Sequence, residues 1–424
     1  MSNYHINTKC LHSGYFPKHG EPRVLPIVQS TTFCYDSASE MGDLFDLKKE
    51  GFFYTRISNP TTDAVEKKIA DLEGGMGAML TSSGQAATFL SIINICHAGD
   101  HIIVQSSIYG GTFNLFNKTI KEFGIDVTFI DVDITIEQIH KEIKENTRCI
   151  FIESLSNPSL AVADIEKFAN IAHEHNIPLI VDNTFPTPIN CRPIQFGADI
   201  IVHSTSKYMD GHALTIGGAI IDSGKFNWSN GKFKEFTKPD ESYHGISYSD
   251  HFKSTAFISK ARLHLMRDIG VTPSPNNCFL LNLGLETLSI RMERHCSNAL
   301  VVAKYLKNNS KVLSVNYPGL INDKYFELAK KYMPNGSSGV IGFRLKGGRK
   351  AAEKFMNSMN LATRAVHVAD IRTCILHPAS TTHRQLSKFQ LSKTGIYSDF
   401  LRLSVGIEHI DDILSDIENS LKCL

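Results

Sequence analysis

Short apolar runs alternate with longer amphipathic stretches between about residues 76 and 222. The runs Ala78–Thr81, Ile102–Gln105, Val127–Ile130, Cys149–Ile152, Leu179–Val181, Ile200–Val202 and Ala219–Ile221 read as strands. Between them lie segments such as 163–173, where Ile165, Phe168, Ala169 and Ala172 fall on one helical face. Strands alternating with helices of this length imply right-handed crossovers and an α/β class fold, a doubly wound, mostly parallel sheet. In such sheets ligands bind beyond the carboxyl ends of the strands.

The pattern changes on both sides of this region. Residues 1–59 are rich in turn formers and read as an extended arm that is not a packed unit. A unit over 60–272 follows, with residues 223–260 as a polar, Gly/Ser-rich inserted excursion around Trp228. Beyond Pro273 and Pro275 one long helix, Asn277 to about Asn308, leads to alternating strands over Gly339–Leu345 and Phe400–Val405. Residues 273–424 therefore read as a smaller α+β domain on an antiparallel sheet.

A chain of 424 residues with 42% hydrophobic content can bury a sizeable core. Its formal net charge of +1 offers no basic field for nucleic acid, so small molecules and copies of itself are the expected partners. Nine cysteines without a C-x-x-C pair argue against a disulfide framework or a zinc site, and metal ligands are not expected. Residues 1–14 lack a signal-peptide pattern, and no apolar run approaches the roughly eighteen residues of a membrane span. A cytoplasmic location without membrane contact is the expectation.

Two strand ends carry the chemistry. One apolar run ends in Ile201-Val202-His203-Ser204-Thr205-Ser206-Lys207, and another in Val181-Asp182-Asn183. Alone, Lys207 most often caps a strand or pairs with a surface acid. A free lysine, with a pKa of about 10.4, is rarely neutral enough to attack a carbonyl, but cationic or apolar neighbours lift that limit. Asp182 ends a strand buried on both faces, where an isolated carboxylate is costly unless it meets a positive charge, such as a protonated pyridine. A turn or helix-cap role is its ordinary alternative.

The turn Thr81-Ser82-Ser83-Gly84-Gln85-Ala86 joins a strand to a helix, so free N–H groups, the helix dipole and Ser83 can converge on a phosphate. Ser204 and Ser206 add donors. Gly74-Gly75-Met76-Gly77 is not a dinucleotide fingerprint, because the third glycine and the preceding strand are missing. Tyr109, at the next strand end, can stack on a flat ring or sit as a core tyrosine. Arg402 alternates with Leu401 and Leu403, so it faces away from them, either as a carboxylate clamp or on an exposed sheet face.

A rival set is Ser204-Thr205-Ser206-Lys207 as S-x-x-K with Lys393-Thr394-Gly395 as K-T-G, the pattern of penicillin-binding enzymes. No S-D-N accompanies it; the nearest strings are Ser249-Asp250-His251 and Ser398-Asp399-Phe400.

In order along nearly the whole chain, Tyr54-Thr55-Arg56, Ser83-Gly84, Tyr109-Gly110-Gly111-Thr112, Val181-Asp182-Asn183-Thr184, Ser204-Thr205-Ser206-Lys207 and Arg402-Leu403-Ser404-Val405-Gly406 resemble the Cys/Met-metabolism family of pyridoxal-phosphate enzymes, fold type I. The resemblance implies that Lys207 forms the imine with pyridoxal 5'-phosphate, Asp182 holds the pyridine nitrogen and Tyr109 stacks on the ring. It further implies that Ser83, Gly84, Gln85, Ser204 and Ser206 bind phosphate. Asn157 lies near the phenolic oxygen and Arg402 takes the substrate α-carboxylate. Tyr54 and Arg56 match an arm pair that reaches a neighbouring subunit's phosphate, implying at least a homodimer in a commonly tetrameric family.

Gln85, Tyr243-His244-Gly245, the string from Gly284 to His295, and the string from His377 to His383 are similar to the O-acetylhomoserine sulfhydrylase branch. That implies γ-replacement of acetate by sulfide or a small thiol, a step of methionine biosynthesis and sulfur assimilation. Methionine γ-lyases usually carry a cysteine where Gly111 stands. A γ-lyase, a cystathionine γ-synthase and a non-catalytic cofactor-binding regulator are the other readings. His367 stands where relatives often have Ser or Asn, and it can bond the substrate carboxylate, tune the acyl preference or fill space.

Overall fold

The computed structural model describes residues 4–381, 384 and 397–424. The Lys393-Thr394-Gly395 string, and His383 of the string that begins at His377, lie outside the described residues.

Seven strands form the central sheet: β1 (Gly77–Thr81), β2 (His101–Gln105), β3 (Asp126–Ile130), β4 (Thr147–Glu153), β5 (Leu179–Asp182), β6 (Ile200–His203) and β7 (Gly218–Asp222). Their spatial order is β1-β7-β6-β5-β4-β2-β3. Only β7 runs against its neighbours; β2·β3, β2·β4, β4·β5 and β5·β6 are parallel pairs. All seven expected strands are present, each one to three residues longer than its apolar run.

Period-two alternation sorts each strand between two cores. Ile150 and Ile152 join Val181, Ile201 and Ile221 on one face, while Cys149 and Phe151 join Ile180, Val202 and Ile220 on the other. Both faces are dry, which is why these strands read as continuous apolar runs.

Helix α1 (Ile6–His12) and α2 (Ala38–Phe45) precede α3 (Pro60–Glu73), which opens with Asn59 accepting from Thr61 N–H and Pro60 in its first turn. Here the expectation of an unpacked arm needs correction. Cys10 is buried, Lys9 pairs with Asp71 at 2.6 Å, and Ser13 also bonds Asp71. Gly14, at φ +88°, crosses α3 so closely that a Cβ would lie 2.0 Å from the Ala64 carbonyl oxygen. The stretch around 223–260 also differs from a polar excursion. Trp228 stacks on Phe236 at 4.6 Å and Phe257 at 5.2 Å, with Phe226 and Phe233 at its edges, an aromatic unit continuous with one sheet core.

Helix α4 (Gly84–Ile93), α5 (Gly110–Asn114) and α6 (Ile165–Glu174) begin just beyond β1, beyond β2, and between β4 and β5. The expected single long helix is two, α7 (Pro275–Glu286) and α8 (Leu288–Lys307), broken at Thr287. The break has a polar cause: Thr287 Oγ1 and an Arg291 Nη both donate to the Gly284 carbonyl. Arg291 also binds the Tyr208 and Met209 carbonyls, so the break clamps α7 and α8 onto the turn that follows Lys207.

The second sheet comprises β8 (Val312–Asn316), β9 (Val340–Leu345), β10 (Thr363–Arg364), β11 (Cys374–Leu376) and β12 (Phe400–Ser404), in the order β10-β11-β12-β9-β8. Its pairs are antiparallel except β10·β11. Leu401 and Leu403 face its own core. No helix among the described residues is long and apolar enough to cross a membrane.

Candidate active site

Because β1, β2, β4, β5 and β6 point the same way, their carboxyl ends deliver Ser83, Tyr109, Glu153, Asp182 and Lys207 to one edge of the sheet. They line one cavity of about 650 Å3, together with Gly84, Gln85, Asn157, Ser204, Ser206, His367 and Arg402. Of the residues singled out from sequence, only Tyr54 and Arg56 lie elsewhere. Both are exposed, with the Arg56 guanidinium 5.0 Å from the Tyr54 ring centre.

Lys207 follows β6 in a turn closed by its own carbonyl, which accepts from Gly211 N–H at 2.7 Å. Burial lowers the pKa of its amine, and the Arg402 charge lowers it further. A partly neutral amine is what attack on a carbonyl requires.

Asp182 ends β5 half-buried in the cavity wall. Its Oδ1 accepts from Thr184 N–H at 2.9 Å and Thr184 Oγ1 at 2.5 Å, leaving Oδ2 free among the described residues. Burial raises its pKa, opposed by the Thr184 bonds and by His203. A carboxylate so placed can pair with a cationic ring nitrogen.

The anion cradle is built by close approach. Ser83 caps α4, accepting from Ala86 N–H at 3.1 Å, so the first-turn N–H groups face the cavity end of β1. A Cβ at Gly84 would lie 2.6 Å from Ser204 Cβ, so only glycine lets the turn after β1 meet the turn after β6. Thr184 ties the segments to Asp182, since its Oγ1 also accepts from Ser204 N–H at 2.9 Å. Ser206 differs from the expectation in one respect: its hydroxyl exchanges bonds with Gly217, accepting from N–H at 2.9 Å and donating to the carbonyl at 3.2 Å.

Arg402 is 5% exposed, which removes the exposed-sheet-face alternative. Its Nη1 donates to Asn157 Oδ1 at 3.0 Å and its Nη2 to the Val366 and His367 carbonyls at 3.3 and 3.2 Å. All three partners are neutral, and no acid among the described residues pairs with it. A planar guanidinium in this setting has the geometry to hold a carboxylate by two parallel hydrogen bonds. Burial first, and then the Lys207 charge, lower the pKa of the His367 imidazole, and its buried Nε2 has no hydrogen-bond partner among the described residues.

Two residues escaped the sequence reading. Glu153 ends the apolar run Ile150–Ile152 just as Asp182 ends Leu179–Val181, so the same strand-end rule would have found it. Its neighbour in register is Asp182 itself. Thr184 carries no signal beyond its place two residues after Asp182.

The lysine, the buried acid and the anion-binding helix start define a lysine-dependent α/β enzyme with a phosphorylated ring cofactor, and glycine at the cradle fits that group sterically. The family model for the Cys/Met metabolism PLP-dependent enzyme matches residues 7–422, and the chain belongs to this family. Its cofactor is pyridoxal phosphate. A Leptospira meyeri O-acetyl-L-homoserine sulfhydrylase is 44% identical over 430 residues, with 99% of this chain and 97% of that protein covered. A Schizosaccharomyces pombe homocysteine synthase is 42% identical, covering 100% of this chain and 99% of its own. A Campylobacter jejuni crystal structure, described as an O-acetylhomoserine (thiol)-lyase with a pyridoxyl-lysine monophosphate, superposes with a TM-score of 0.95 at 38% identity, covering 99% and 100%. The fold is that of fold type I pyridoxal-phosphate enzymes.

Proposed function

We propose that this chain is an O-acetylhomoserine sulfhydrylase, replacing the γ-acetate of O-acetylhomoserine by sulfide to give homocysteine and acetate, or by methanethiol to give methionine. The observation that carries this reading is the unpaired Arg402 guanidinium lining the same cavity as the desolvated Lys207 amine. An amino acid held by its carboxylate at Arg402 brings its amine and Cα toward Lys207. The full-length relatives named for this reaction supply the choice of substrate.

Bound pyridoxal phosphate supplies the electron sink for charge that develops at Cα. Ser83, Gly84, Gln85, Ser204 and Ser206 hold its phosphate, Asn157 lies by its phenolic oxygen, and Asp182 keeps its ring nitrogen protonated. Lys207, freed by the substrate amine, moves protons at Cα and Cβ; burial and the Arg402 charge lower its pKa, which favours the neutral amine that a base requires. Tyr109 covers the ring face and assists acetate departure. His367, neutral and close to Arg402, lies at the carboxylate end.

The active unit is at least a homodimer, and a tetramer by family habit, with Tyr54 and Arg56 completing a neighbour's phosphate site. Their exposure and their place outside their own chain's cavity support this reading, as do the exposed apolar residues Leu214, Ile216 and Val366 that line the cavity. Nine unpaired cysteines favour a reducing, cytoplasmic setting.

The deciding assay supplies O-acetylhomoserine with and without sulfide. Homocysteine should form only with sulfide. Ammonia and 2-oxobutyrate released equally in its absence would replace this reading by a γ-lyase.

A further inference from the structure

Glu153 sits at the floor of the cavity and touches two of the residues on which the site depends. Its Oε1 accepts from Tyr109 N–H at 2.7 Å and its Oε2 from Asn157 N–H at 3.1 Å. Tyr109 begins α5 after β2, and Asn157 lies in the turn after β4, so one carboxylate spans two separate strand-end loops. Asn157 in turn accepts from Arg402 at 3.0 Å. An unbroken path therefore runs from the Tyr109 backbone through Glu153 and Asn157 to the guanidinium on the second sheet.

The carboxylate is itself held in place. Its own N–H donates to Gln105 Oε1 at 3.2 Å, and Gln105 Nε2 donates to Ser156 Oγ at 2.7 Å, bracing the same turn from β2. Glu153 is 5% exposed and makes no salt bridge among the described residues. A buried carboxylate costs several kcal/mol unless its bonds repay it. Apolar side chains would fill this corner more cheaply if filling were its task.

From this geometry we infer that Glu153 is a positioning residue: it sets the separation of Tyr109 and Asn157, and through Asn157 the orientation of Arg402 toward the substrate carboxylate. The inference rests on the reading of the cavity given above. It adds a link between cofactor and substrate sites. Burial first, and then the charge of Asp182 at the neighbouring strand end, raises the Glu153 pKa well above the carboxylate range. A cation beside Asp182 offsets that repulsion, so a protonated ring nitrogen there favours the ionised form of Glu153, which accepts both N–H groups. Cofactor binding thereby tightens the clamp that orients Arg402.

The test is Glu153→Gln in the holoenzyme. Glutamine is isosteric but keeps one acceptor, and its NH2 group faces one of the two N–H donors. A shift of either loop by about 1 Å lowers kcat/KM by about 10²-fold, mostly through KM for O-acetylhomoserine. The visible circular dichroism of the bound cofactor should weaken, since it reports ring orientation without turnover. In a double-mutant cycle with Asn157→Ala, the effects on KM should be non-additive.

Wild-type KM and dichroism in Glu153→Gln, or strict additivity in the cycle, would overturn the inference. If the glutamine variant does not fold, Glu153→Asp takes its place in the same cycle, with the same two criteria. A wild type that makes no homocysteine defeats the sulfhydrylase reading alone, because the dichroism still decides the role of Glu153.

Discussion

Arg402 and Asp222 are both buried ionisable groups without an opposite charge beside them among the described residues, and the two imbalances have different consequences. In the proposed function the partner of Arg402 is the carboxylate of the substrate. Arg402→Lys replaces a fork by a point charge, and Arg402→Ala leaves the substrate carboxylate buried alone, a loss of about 2–5 kcal/mol seen mainly as a raised KM. Steady-state kinetics check this; an unchanged KM would move the carboxylate site elsewhere. At Asp222 burial pushes the carboxyl from 3.8 up to about 7, while Oδ1 accepts from Gly224 N–H and Oδ2 has no partner. A folded-state pKa above the unfolded one means that the native protein holds the extra proton. Its contribution to stability is complete below the unfolded value and is lost as pH rises from about 4 through about 7. Asp222→Asn mimics the protonated acid and never ionises. Thermal melts between pH 5.5 and 8.5 should show a shallower decline for the variant, the difference across that window being at most on the order of 2 kcal/mol. Parallel declines would assign the slope to other acids.

Elements were legible in proportion to how far their own residues decide them. All seven strands of the first sheet were visible because both faces of each are dry, and unbroken Ile/Val runs have few other uses. Their shared direction followed from the helical crossovers, and that placed Lys207, Asp182, Ser83 and Tyr109 at one edge before any geometry was known. The break at Thr287 was invisible because it depends on Arg291 bonding carbonyls of the 208–209 turn, more than seventy residues away in sequence. Helix α1 was missed for the same reason: Asp71, which pairs with Lys9, lies on α3. In 223–260 the glycines and serines masked five aromatics that pack only once the chain folds back on itself. Glu153 was a different kind of miss, a local signal at a strand end passed over because no family motif pointed to it. Arg402 shows the limit of periodicity: alternation gave its face, but burial of that face comes from Asn157, in the loop after β4 of the first sheet, and from the Val366 and His367 carbonyls, in the loop between β10 and β11.

At the scale of the whole molecule, the cavity of one chain contains every singled-out residue except Tyr54 and Arg56. Those two lie on the surface, outside the lining of that cavity. If they serve a neighbour, the site belongs to the assembly, and single-site variants can be combined to prove it. Lys207→Ala removes the imine-forming amine, and Arg56→Ala removes the arm's cation; each homo-oligomer alone should have little activity. In a mixed dimer the Lys207→Ala chain donates an intact arm to the other chain's intact lysine, so one of the two sites is wild type in every component. The second site carries both defects. Random assembly makes about half of all dimers mixed, each with one working site, so a co-expressed equimolar pair should recover about a quarter of wild-type activity. Separately purified variants combined without subunit exchange should recover none. If co-expression gives only the average of the two parents, then Tyr54 and Arg56 act within their own chain, and the arm must reach its own cavity by a rearrangement of residues 26–59.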